Sequence, residues 1–462
     1  MRADCPRLVI AGTGSGVGKT SITLGLARWL VRQGLRVQTF KVGPDFLDPT
    51  YLAMASGRTC YNLDGWMTSR EYVRGLFART TADADIALIE GVMGMFDGAS
   101  PRTLEGSTAE IALWLSAPVL LVVNAHGAAR SLAATVKGFA QFEPGVRVVG
   151  VIANQGGSQR HRGWLSESLV GAETAPLVGM LHRESLATLP SRHLGLVAAD
   201  QTNLSVKGLD QLADVCGRFL DVSLLLQLAS SAESFGVEAP SPLEPALPRK
   251  LRLGIARDEA FHFYYADNLE SLEHAGVQWV PFSPLSDAKL PTDLDGLYFG
   301  GGYPELQAAQ LADNAGMLSD VRQFAASGRA IYAECGGLMY LGQTLTTLNG
   351  ECYPLVGVLP IQTAMLQKLK VLGYTEVTWA TDSLWGAAGQ IARGHEFHYS
   401  QITGQESSAD GWQPAYTVCR RQAEATRGGF SKGHILAGYV HLYWAPRPEA
   451  IQHFLFRCEK RS

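Results

Sequence analysis

The sequence feature that most constrains the fold is a glycine-rich loop between an apolar segment and an amphipathic one. Residues 12–20 read GTGSGVGKT, after the apolar run LVIA and before a helical pattern at Lys19–Gln33. Glycines let backbone amides close around phosphate oxygens, and a helix N-terminus adds partial positive charge. A glycine turn with a chance lysine is the alternative, but the strand-loop-helix setting opposes it. We therefore predict a phosphate-binding loop in an α/β fold.

The predicted loop departs from the usual pattern at one position. The pattern G-x-x-x-x-G-K-T has glycine where Thr13 stands. Lys19 is placed to reach terminal phosphates, and the Thr20 hydroxyl is placed to ligate Mg²⁺. The candidate nucleotide-binding residues of the loop are Thr13, Gly14, Ser15, Gly16, Val17, Gly18, Lys19 and Thr20.

The first half of the chain alternates β-branched apolar runs with amphipathic stretches, a pattern typical of a parallel α/β sheet. Near-continuous apolar runs such as VLLVV indicate strands covered by helices on both faces. The predicted strands are Leu8–Ala11, Arg36–Val42, Ile86–Gly91, Pro118–Asn124, Arg147–Ala153 and Pro176–Leu181. The clearest predicted helices are Lys19–Gln33, Ser107–Ser116 and Ala129–Phe142.

Acidic residues follow the second and third predicted strands. KVGPDFLDP offers Asp45 and Asp48, and EGVMGMFDG offers Glu90 and Asp97. A phosphate site needs acids at strand ends to hold Mg²⁺ and to position a reacting carboxylate. Helix capping is the alternative for any single Asp, but four acids after two successive strands favour a functional site.

Two further candidates follow later strands. Asn154 closes the fifth predicted strand and is a candidate for a hydrogen bond to a nucleotide base edge, with an ordinary turn as the alternative. Arg192 and His193 in LPSRHLGL are weaker candidates, for which structural packing is an equal alternative.

A proline-rich segment divides the chain. ESFGVEAPSPLEPALPRK carries four prolines between Pro240 and Pro248, which predicts a stiff, exposed linker. A chain of 462 residues is long enough for two domains. We predict a first domain at 1–232, a linker at 233–250 and a second domain at 251–462. The second domain begins with another α/β series, LRLGIARD, VQWVPF, GLYFGGG and AIYAEC.

Composition excludes several classes of function. The net charge is −4 and no run of Lys or Arg occurs, so we expect no nucleic-acid partner. No apolar stretch reaches the roughly 18 residues that span a bilayer, and the N-terminus lacks the pattern of a signal peptide. Seven cysteines without a CxxC pair indicate reduced thiols. We expect a cytoplasmic protein without a membrane partner, and the sequence is compatible with a homodimer.

A cysteine between a strand and two glycines is the second chemical signal. AIYAECGGLMYL places Cys335 in the setting of a nucleophile elbow. A helix N-terminus favours a thiolate and supplies a backbone N–H for an oxyanion. GGGYPE resembles an oxyanion loop, so the candidates for binding the substrate and its oxyanion are Gly301, Gly302 and Gly336. The alternatives are a buried structural cysteine and an ordinary strand-end turn.

A thiol nucleophile needs a base, and HILAGYVHLYW offers two histidines. His441 lies in an alternating strand and is the better placed, whereas His434 lies nearer a turn. GHEFHYS adds His395, Glu396 and His398 within four residues. A metal site is one interpretation of that cluster, but without further ligands nearby we favour substrate contact or domain docking.

Together these segments resemble the cobyrinate and hydrogenobyrinate a,c-diamide synthases of corrinoid (vitamin B12) biosynthesis. The resemblance covers essentially the whole chain. It is carried, in chain order, by GTGSGVGKT, KVGPDFLDP, EGVMGMFDG, GGGYPE, AECGGLMYL, GHEFHYS and YVHLYW. It implies an N-terminal P-loop domain with a parallel sheet, similar to dethiobiotin synthetase. It also implies a C-terminal α/β domain similar to class I, triad-type glutamine amidotransferases.

The resemblance also implies a reaction. ATP, with Mg²⁺, would phosphorylate the a and c acetate carboxylates of cobyrinate, and ammonia from glutamine would displace phosphate to leave acetamides. By motif, Cys335 is the thioester nucleophile and His441 its base. The residues implied to handle phosphate and Mg²⁺ are Lys19, Thr20, Asp45 and Glu90, and those implied to position the macrocycle carboxylate or acyl phosphate are Asp48 and Asp97.

Three positions depart from related patterns. Ala333 stands where triad-type amidotransferases carry glycine, and Tyr443 stands where they carry glutamate. The carboxylate that orients the imidazole is therefore absent or comes from elsewhere. Gly14 replaces the extra lysine of partition-type ATPases, which opposes a dimerising ATPase of that kind.

Several other functions fit part of the pattern. Within the same chemistry, the alternatives are a hydrogenobyrinate or Ni-sirohydrochlorin a,c-diamide synthase, or a cobyric acid synthase. An alternative of another class is a P-loop switch ATPase with a non-catalytic amidotransferase-like domain. Cys335, His441 and GGGYPE oppose that last alternative.

Overall fold

The protein forms two compact units. The structure is a computed structural model that describes residues 2–183, 185, 206–238, 250–404, 411–421 and 423–459. The chain divides into Met1–Pro240 and Ser241–Ser462, at a point inside the proline-rich segment. Each unit is described below by itself.

The first unit is an α/β domain with nine strands among its described residues. Its strands are β1 (Arg2–Ala3), β2 (Arg7–Gly12), β3 (Val37–Val42), β4 (Tyr61–Leu63), β5 (Ile86–Glu90), β6 (Val119–Asn124), β7 (Val148–Gly156), β8 (Leu177–His182) and β9 (Phe235–Gly236). Its helices are α1 (Lys19–Arg32), α2 (Asp48–Ser56), α3 (Arg70–Thr80), α4 (Thr108–Trp114), α5 (Arg130–Gln141), α6 (Gln159–Gly171), α7 (Val206–Phe219) and α8 (Val222–Ser230).

Seven of these strands form one parallel sheet, in the order β4-β3-β5-β2-β6-β7-β8. Every residue of β2, β3 and β5 is buried, as expected for strands covered on both faces. All six strands predicted from the sequence are present, and the parallel sheet is confirmed. The three-residue strand β4 was not predicted, because so short an edge strand shows no periodicity.

The predicted linker at 233–250 begins too early. Phe235–Gly236 pairs antiparallel with Arg2–Ala3 and so belongs to the first unit. The reason is the buried Arg7 guanidinium, which donates to the Glu233 carbonyl and lies 5.0 Å from the centre of the Phe235 ring. The remaining part of the predicted linker, residues 239–249, lies outside the described residues.

The second unit combines a large mixed sheet with a small one. Its strands are β10 (Leu251–Ala256), β11 (Val277–Phe282), β12 (Gly296–Phe299), β13 (Ala330–Glu334), β14 (Thr344–Thr346), β15 (Cys352–Pro354), β16 (Gln362–Met365), β17 (Val371–Trp379), β18 (Ile391–His398), β19 (Ser400–Ile402), β20 (Gln413–Arg420), β21 (Thr426–Lys432), β22 (Ile435–Gly438) and β23 (His441–Leu442). Its helices are α9 (Ala266–His274), α10 (Ala308–Asp313), α11 (Ala315–Ala326), α12 (Gly336–Leu341) and α13 (Pro448–Glu459). A 3-10 turn covers Pro304–Leu306.

The large sheet has ten strands in the order β11-β10-β12-β13-β22-β21-β20-β17-β18-β23. The first five are parallel, and the rest pair antiparallel. The small sheet has the order β15-β14-β16-β19. The four segments predicted to open this domain are all strands, and the α/β fold class is confirmed for both units. In the parts of the chain described here, no helix combines the length and apolarity needed to cross a bilayer.

Candidate functional site

The predicted phosphate loop joins the carboxyl end of β2 to the first turn of α1. Gly18 has φ 102°, in the left-handed region, and a Cβ there would lie 2.3 Å from Asn154 Nδ2. Both facts require glycine at this position. Asn154 Nδ2 donates to the Val17 carbonyl at 2.9 Å. The structure therefore brings Asn154 to the loop, where its amide holds the loop backbone.

Lys19 links the phosphate loop to the loop that follows β5. Its Nζ donates to the carbonyls of Gly14 at 3.0 Å and Met93 at 2.5 Å. Burial lowers the pKa of Lys19 to about 8, and the nearby Lys41 lowers it further. Met93 has φ 46°, a strained value for a side chain of this kind. The amino group is thus fixed at the carboxyl edge of the sheet.

Glu90 is the buried acid at the end of β5. Its Oε1 accepts a hydrogen bond from Thr20 Oγ1 at 2.6 Å and lies 3.4 Å from Lys41 Nζ. Its Oε2 is buried and has no hydrogen-bond partner among the residues that the structure describes. Burial raises the pKa of Glu90 to about 8, although Lys41 opposes the shift. The carboxylate is therefore held in place with one oxygen able to accept a cation.

Lys41 is a charged residue of this site that sequence reasoning missed. It lies in β3 with its Nζ 3.2 Å from Asp48 Oδ2 and 3.0 Å from the Gly91 carbonyl. Burial would lower the pKa of Lys41, but Glu90, Asp48 and Asp45 together raise it above its ordinary value. The available signal was a lysine inside an otherwise uncharged strand, VQTFKV.

The remaining predicted acids occupy different environments. Asp45 Oδ1 accepts the N–H groups of Leu47 at 2.8 Å and Asp48 at 3.0 Å, so this oxygen caps the start of α2. Burial raises the pKa of Asp45 to about 7, and Asp48 adds to the rise. Asp97 is exposed and accepts the Gly94 N–H at 2.9 Å, which shapes the loop after β5.

Cys335 forms the turn between β13 and α12. Its backbone has φ 47° and ψ −101°, and its N–H donates to the Gly438 carbonyl at 2.8 Å. Such a strained non-glycine conformation is uncommon and concentrates at functional sites. The side chain is 6% exposed. This is the strand-turn-helix geometry that a nucleophile elbow requires.

The predicted oxyanion glycines lie together beside this turn. A Cβ on Gly336 would lie 3.2 Å from the Gly302 nitrogen, and a Cβ on Gly301 would lie 2.5 Å from His441 Cε1. The loop after β12, the first turn of α12 and the His441 ring therefore meet at one place. Only residues without a side chain fit there.

His441 is fully buried in β23 and stacks on His395 with ring centres 5.0 Å apart. Burial would lower the pKa of His441, but its interactions with Cys335 and Glu334 raise it to about 10. Burial and the neighbouring His441 hold the pKa of His395 well below its usual value. The arrangement thus favours a protonated His441 next to the Cys335 thiol. Such an imidazolium is the partner that stabilises a thiolate.

The other candidate base, His434, lies at the wrong end of the sheet. Its carbonyl accepts the Ile331 N–H at 2.9 Å, near the start of β13. Cys335 follows four residues later, which at about 3.3 Å per residue is roughly 13 Å along the strand. The structure therefore assembles Cys335 with His441 and separates His434 from both.

Glu334 is the second residue that sequence reasoning missed. This buried carboxylate accepts hydrogen bonds from the hydroxyls of Tyr298 at 3.0 Å and Tyr332 at 2.5 Å. Its Oε2 lies 3.6 Å from His441 Nδ1. Tyr443, at the position where a glutamate was expected, instead donates its hydroxyl to Asp267. The available signal was an acid directly before the cysteine.

The GHEFHYS cluster does not form a metal centre. Glu396 pairs with Arg420 at 2.5 Å, and His398 stacks on Tyr439 at 3.9 Å between ring centres. Within the described ranges no group of three or more His, Cys, Asp or Glu residues could hold a metal ion. His395 belongs to the surroundings of His441. Arg192 and His193 lie outside the described residues.

The two sites define a class of protein, because a phosphate loop in one unit and a cysteine-histidine elbow in the other combine nucleotide chemistry with glutamine chemistry. Residues 8–197 match the CobQ/CobB/MinD/ParA nucleotide binding domain. Residues 252–449 match the CobB/CobQ-like glutamine amidotransferase domain. The class is therefore a glutamine amidotransferase fused to a nucleotide-binding domain.

Full-length relatives define the family. A protein named cobyrinate a,c-diamide synthase from Syntrophotalea carbinolica is 54% identical over 99% of this chain and 100% of its own length. Proteins of the same name from Leptospira interrogans and Salmonella typhimurium are 43% and 42% identical, over 100% and 98% of both chains. The chain belongs to the family of cobyrinate a,c-diamide synthases, which confirms the resemblance seen in the motifs. A solved glutamine amidotransferase is 15% identical over 45% of this chain, with a TM-score of 0.32.

Proposed function

We propose that this protein uses ATP and glutamine to amidate the a and c acetate carboxylates of cobyrinate, in corrinoid biosynthesis. The observation that carries the proposal is the pairing of Cys335 with His441 in a chain whose other unit holds a phosphate loop. An enzyme that releases ammonia and also activates a carboxylic acid needs both. The names of the full-length relatives indicate that the macrocyclic substrate is cobyrinate.

The nitrogen half begins at Cys335. Its thiolate attacks the carboxamide carbon of glutamine, and the carbonyl electron pair moves to oxygen, where N–H groups at Gly302 and Gly336 would stabilise it. His441 gives its proton to the amide nitrogen as the C–N bond breaks, so ammonia leaves and a glutamyl thioester remains. Water then attacks the thioester and gives its proton to His441, which releases glutamate and the thiolate.

The carboxylate half takes place at the phosphate loop. A carboxylate oxygen of the macrocycle attacks the γ-phosphorus of ATP, ADP leaves, and an acyl phosphate forms. Lys19 stabilises the charge that develops on the phosphoryl oxygens. Ammonia attacks the acyl carbon, phosphate leaves and the amide forms with loss of a proton. We assign the positioning of the reacting carboxylate or acyl phosphate to Asp48 and Asp97.

Mg²⁺ fits the donor set next to Lys19. Thr20 Oγ1 and the Glu90 carboxylate are hard oxygen donors, and the buried Glu90 Oε2 lacks a hydrogen-bond partner within the described part of the chain. Mg²⁺ binds proteins through one or two such groups and takes its other ligands from water and phosphates. We propose that Thr20, Glu90 and Asp45 hold the ion, which would neutralise phosphate charge, and that the Lys41 ammonium, 3.2 Å from Asp48 and 3.4 Å from Glu90, keeps both side chains in place.

Three further points concern nucleotide binding, cellular location and oligomeric state. We propose that the backbone from Thr13 to Gly18 surrounds the phosphates and that Asn154 keeps this loop in its binding conformation. All seven cysteines are free thiols, which supports a cytoplasmic location. A homodimer stays a prediction, which light scattering on the pure enzyme would measure.

The test is to incubate the pure enzyme with glutamine, ATP, Mg²⁺ and one macrocycle at a time. We expect cobyrinate to gain two amides, with one ADP, one phosphate and one glutamate formed for each. Hydrogenobyrinate and Ni-sirohydrochlorin are the comparison substrates. Faster amidation of either one than of cobyrinate would overturn the assigned substrate and leave the chemistry intact.

A further inference from the structure

A cysteine-histidine pair usually depends on a third group that orients the imidazole. In this chain Tyr443 stands where triad-type amidotransferases carry that carboxylate. The Tyr443 hydroxyl donates to Asp267, so this position supplies no acid of its own. His441 is nevertheless fully buried, where an unsupported imidazolium would be costly.

Glu334 lies where such a group would be needed. It is the residue directly before the nucleophile, at the end of β13, and it is 2% exposed. Its Oε2 faces His441 Nδ1 at 3.6 Å, an ion-pair distance. Catalytic hydrogen bonds are often long before substrate binds and shorten in the reacting complex.

The surroundings of Glu334 direct one lone pair toward the histidine. Oε1 accepts the Tyr332 hydroxyl at 2.5 Å and the Leu442 N–H at 3.0 Å. Oε2 accepts the Tyr298 hydroxyl at 3.0 Å. A carboxylate has about four acceptor sites, so three donors fix the group and leave the fourth site for His441. Leu442 directly follows His441, which ties the strand of the base to the same carboxylate.

We propose that Glu334 is the positioning residue of His441 and takes the place of the carboxylate missing at Tyr443. This inference rests on the proposed roles of Cys335 and His441. Glu334 holds the imidazole with Nε2 toward the thiol, and its charge stabilises the imidazolium that pairs with the thiolate. It touches neither glutamine nor the reacting atoms.

Asp267 is the competing buried acid. It accepts the Tyr443 hydroxyl, and the Tyr443 ring packs against Tyr265 with centres 4.6 Å apart. The Tyr265 hydroxyl bonds His395 Nδ1 at 2.8 Å, and His395 stacks on His441. In these contacts, three side chains stand between Asp267 and the base. This makes it a matched control for the loss of a buried negative charge.

The tyrosines and histidines around the pair stay uncharged near neutral pH, and the charged neighbours beside His395 are Glu396 and Arg420, which pair with each other. Burial raises the pKa of each surrounding tyrosine above its usual value and lowers the pKa of each neighbouring histidine. Besides Cys335, the tyrosines and histidines are Tyr264, Tyr298, Tyr332, Tyr416, Tyr439, His395 and His398. A change in the alkaline limb of the glutaminase profile therefore reports on His441.

The experiment compares Glu334→Gln with Asp267→Asn in the full-length enzyme and measures glutaminase kcat and KM across pH. For Glu334→Gln we expect kcat to fall by about 10²–10⁴-fold, as when a triad carboxylate becomes an amide, with a KM for glutamine within about threefold. The alkaline limb should move to lower pH, because an imidazolium without its counter-charge loses its proton more easily. For Asp267→Asn we expect kcat within about threefold and an unmoved limb.

The outcomes separate this inference from the proposed function. If Cys335→Ala keeps its glutaminase activity, the proposed site is wrong. If Cys335→Ala is inactive while Glu334→Gln keeps the wild-type kcat and pH profile, only the role of Glu334 is overturned. A shifted limb in Asp267→Asn alone would transfer the role to Asp267. If Glu334→Gln does not fold, Glu334→Asp decides, because an intermediate loss of kcat supports the role and a wild-type rate overturns it.

Discussion

Two turns from strand to helix carry the chemistry of this chain, and they differ in how burial acts on their charged groups. At the phosphate loop, burial raises the pKa of Glu90 to about 8 and lowers that of Lys19 to about 8. At the cysteine turn, burial would lower the pKa of His441, but Cys335 and Glu334 raise it to about 10. The first site disfavours the charges of Glu90 and Lys19, and the second stabilises the charge of His441.

The difference teaches how each site reaches its working state. Glu90 Oε2 is a buried oxygen with no hydrogen-bond partner in the described ranges, whereas Glu334 accepts three hydrogen bonds and faces His441. Under the proposed function, a phosphate group and Mg²⁺ would bring the charges that the first site needs. The second site supplies its own ion pair. Variants of the first site should therefore respond to ligand, and variants of the second to pH and nitrogen source.

The largest expected effect comes from Lys19→Ala. We expect loss of amidation by several powers of ten with either glutamine or ammonium, because the transferring phosphoryl oxygens lose their fixed cation. Glutaminase activity should remain, since Cys335 lies in the other unit. The measurement is diamide and ADP formation at saturating ATP. Near-normal turnover in this variant would show that residues 12–20 are not the nucleotide loop.

The second effect separates the two sites by nitrogen source. Cys335→Ala should lose glutaminase activity and glutamine-driven amidation by about 10³-fold or more, because no thioester can form. With ammonium at raised pH it should still amidate, since the phosphate loop is intact. His441→Ala should behave alike but less completely. A folded, ATP-binding Cys335→Ala enzyme that fails with ammonium would contradict the division of labour.

How much of this could be predicted from sequence follows from the same comparison. The contiguous motifs predicted a strand-turn-helix at residues 12–20 and at Cys335, and the alternating apolar runs predicted six strands of the parallel sheet, all of which the structure contains. Lys41 and Glu334 were missed because their partners come from distant strands. Glu334 in β13, for example, accepts hydrogen bonds from Tyr298 in β12 and Leu442 in β23. The order of the antiparallel strands could not be predicted either, because alternation shows which face is buried and not which strand is the neighbour.

A third prediction divides the acids of the phosphate site. Glu90→Gln should lower turnover by about 10–100-fold, and raised Mg²⁺ should partly restore it, because the variant keeps its shape and loses a ligand charge. Asp45→Asn should respond in the same way. Asp48→Asn and Asp97→Asn should respond to macrocycle concentration instead. Kinetics over a grid of Mg²⁺ and substrate concentrations measure both responses, and one common Mg²⁺ response in all four variants would refute the division.

The smallest expected effect is on stability, and it has opposite signs at the two sites. Without ligands and above about pH 8, Glu90→Gln should raise the free energy of unfolding by about 1–2 kcal/mol, because an amide avoids the buried charge that Glu90 carries once it ionises. Glu334→Gln should lower it by about 1–3 kcal/mol, because an amide nitrogen cannot accept the hydrogen bonds that the carboxylate accepts.

The pH dependence of these two changes gives a sharper test than their size. Glu90 has a folded pKa of about 8, above its ordinary 4.5, so its favourable contribution is complete below 4.5 and is lost as pH rises through about 8. The advantage of Glu90→Gln over the wild type should therefore grow with pH over that window.

His441 has a folded pKa of about 10 against an ordinary 6.5, so its contribution is lost only as pH rises through about 10. In Glu334→Gln that loss should be complete at lower pH, because an imidazolium without its counter-charge has a lower folded pKa. Thermal melts across this pH range measure both trends, and parallel curves for the wild type and both variants would show that neither Glu90 nor His441 titrates as its surroundings require.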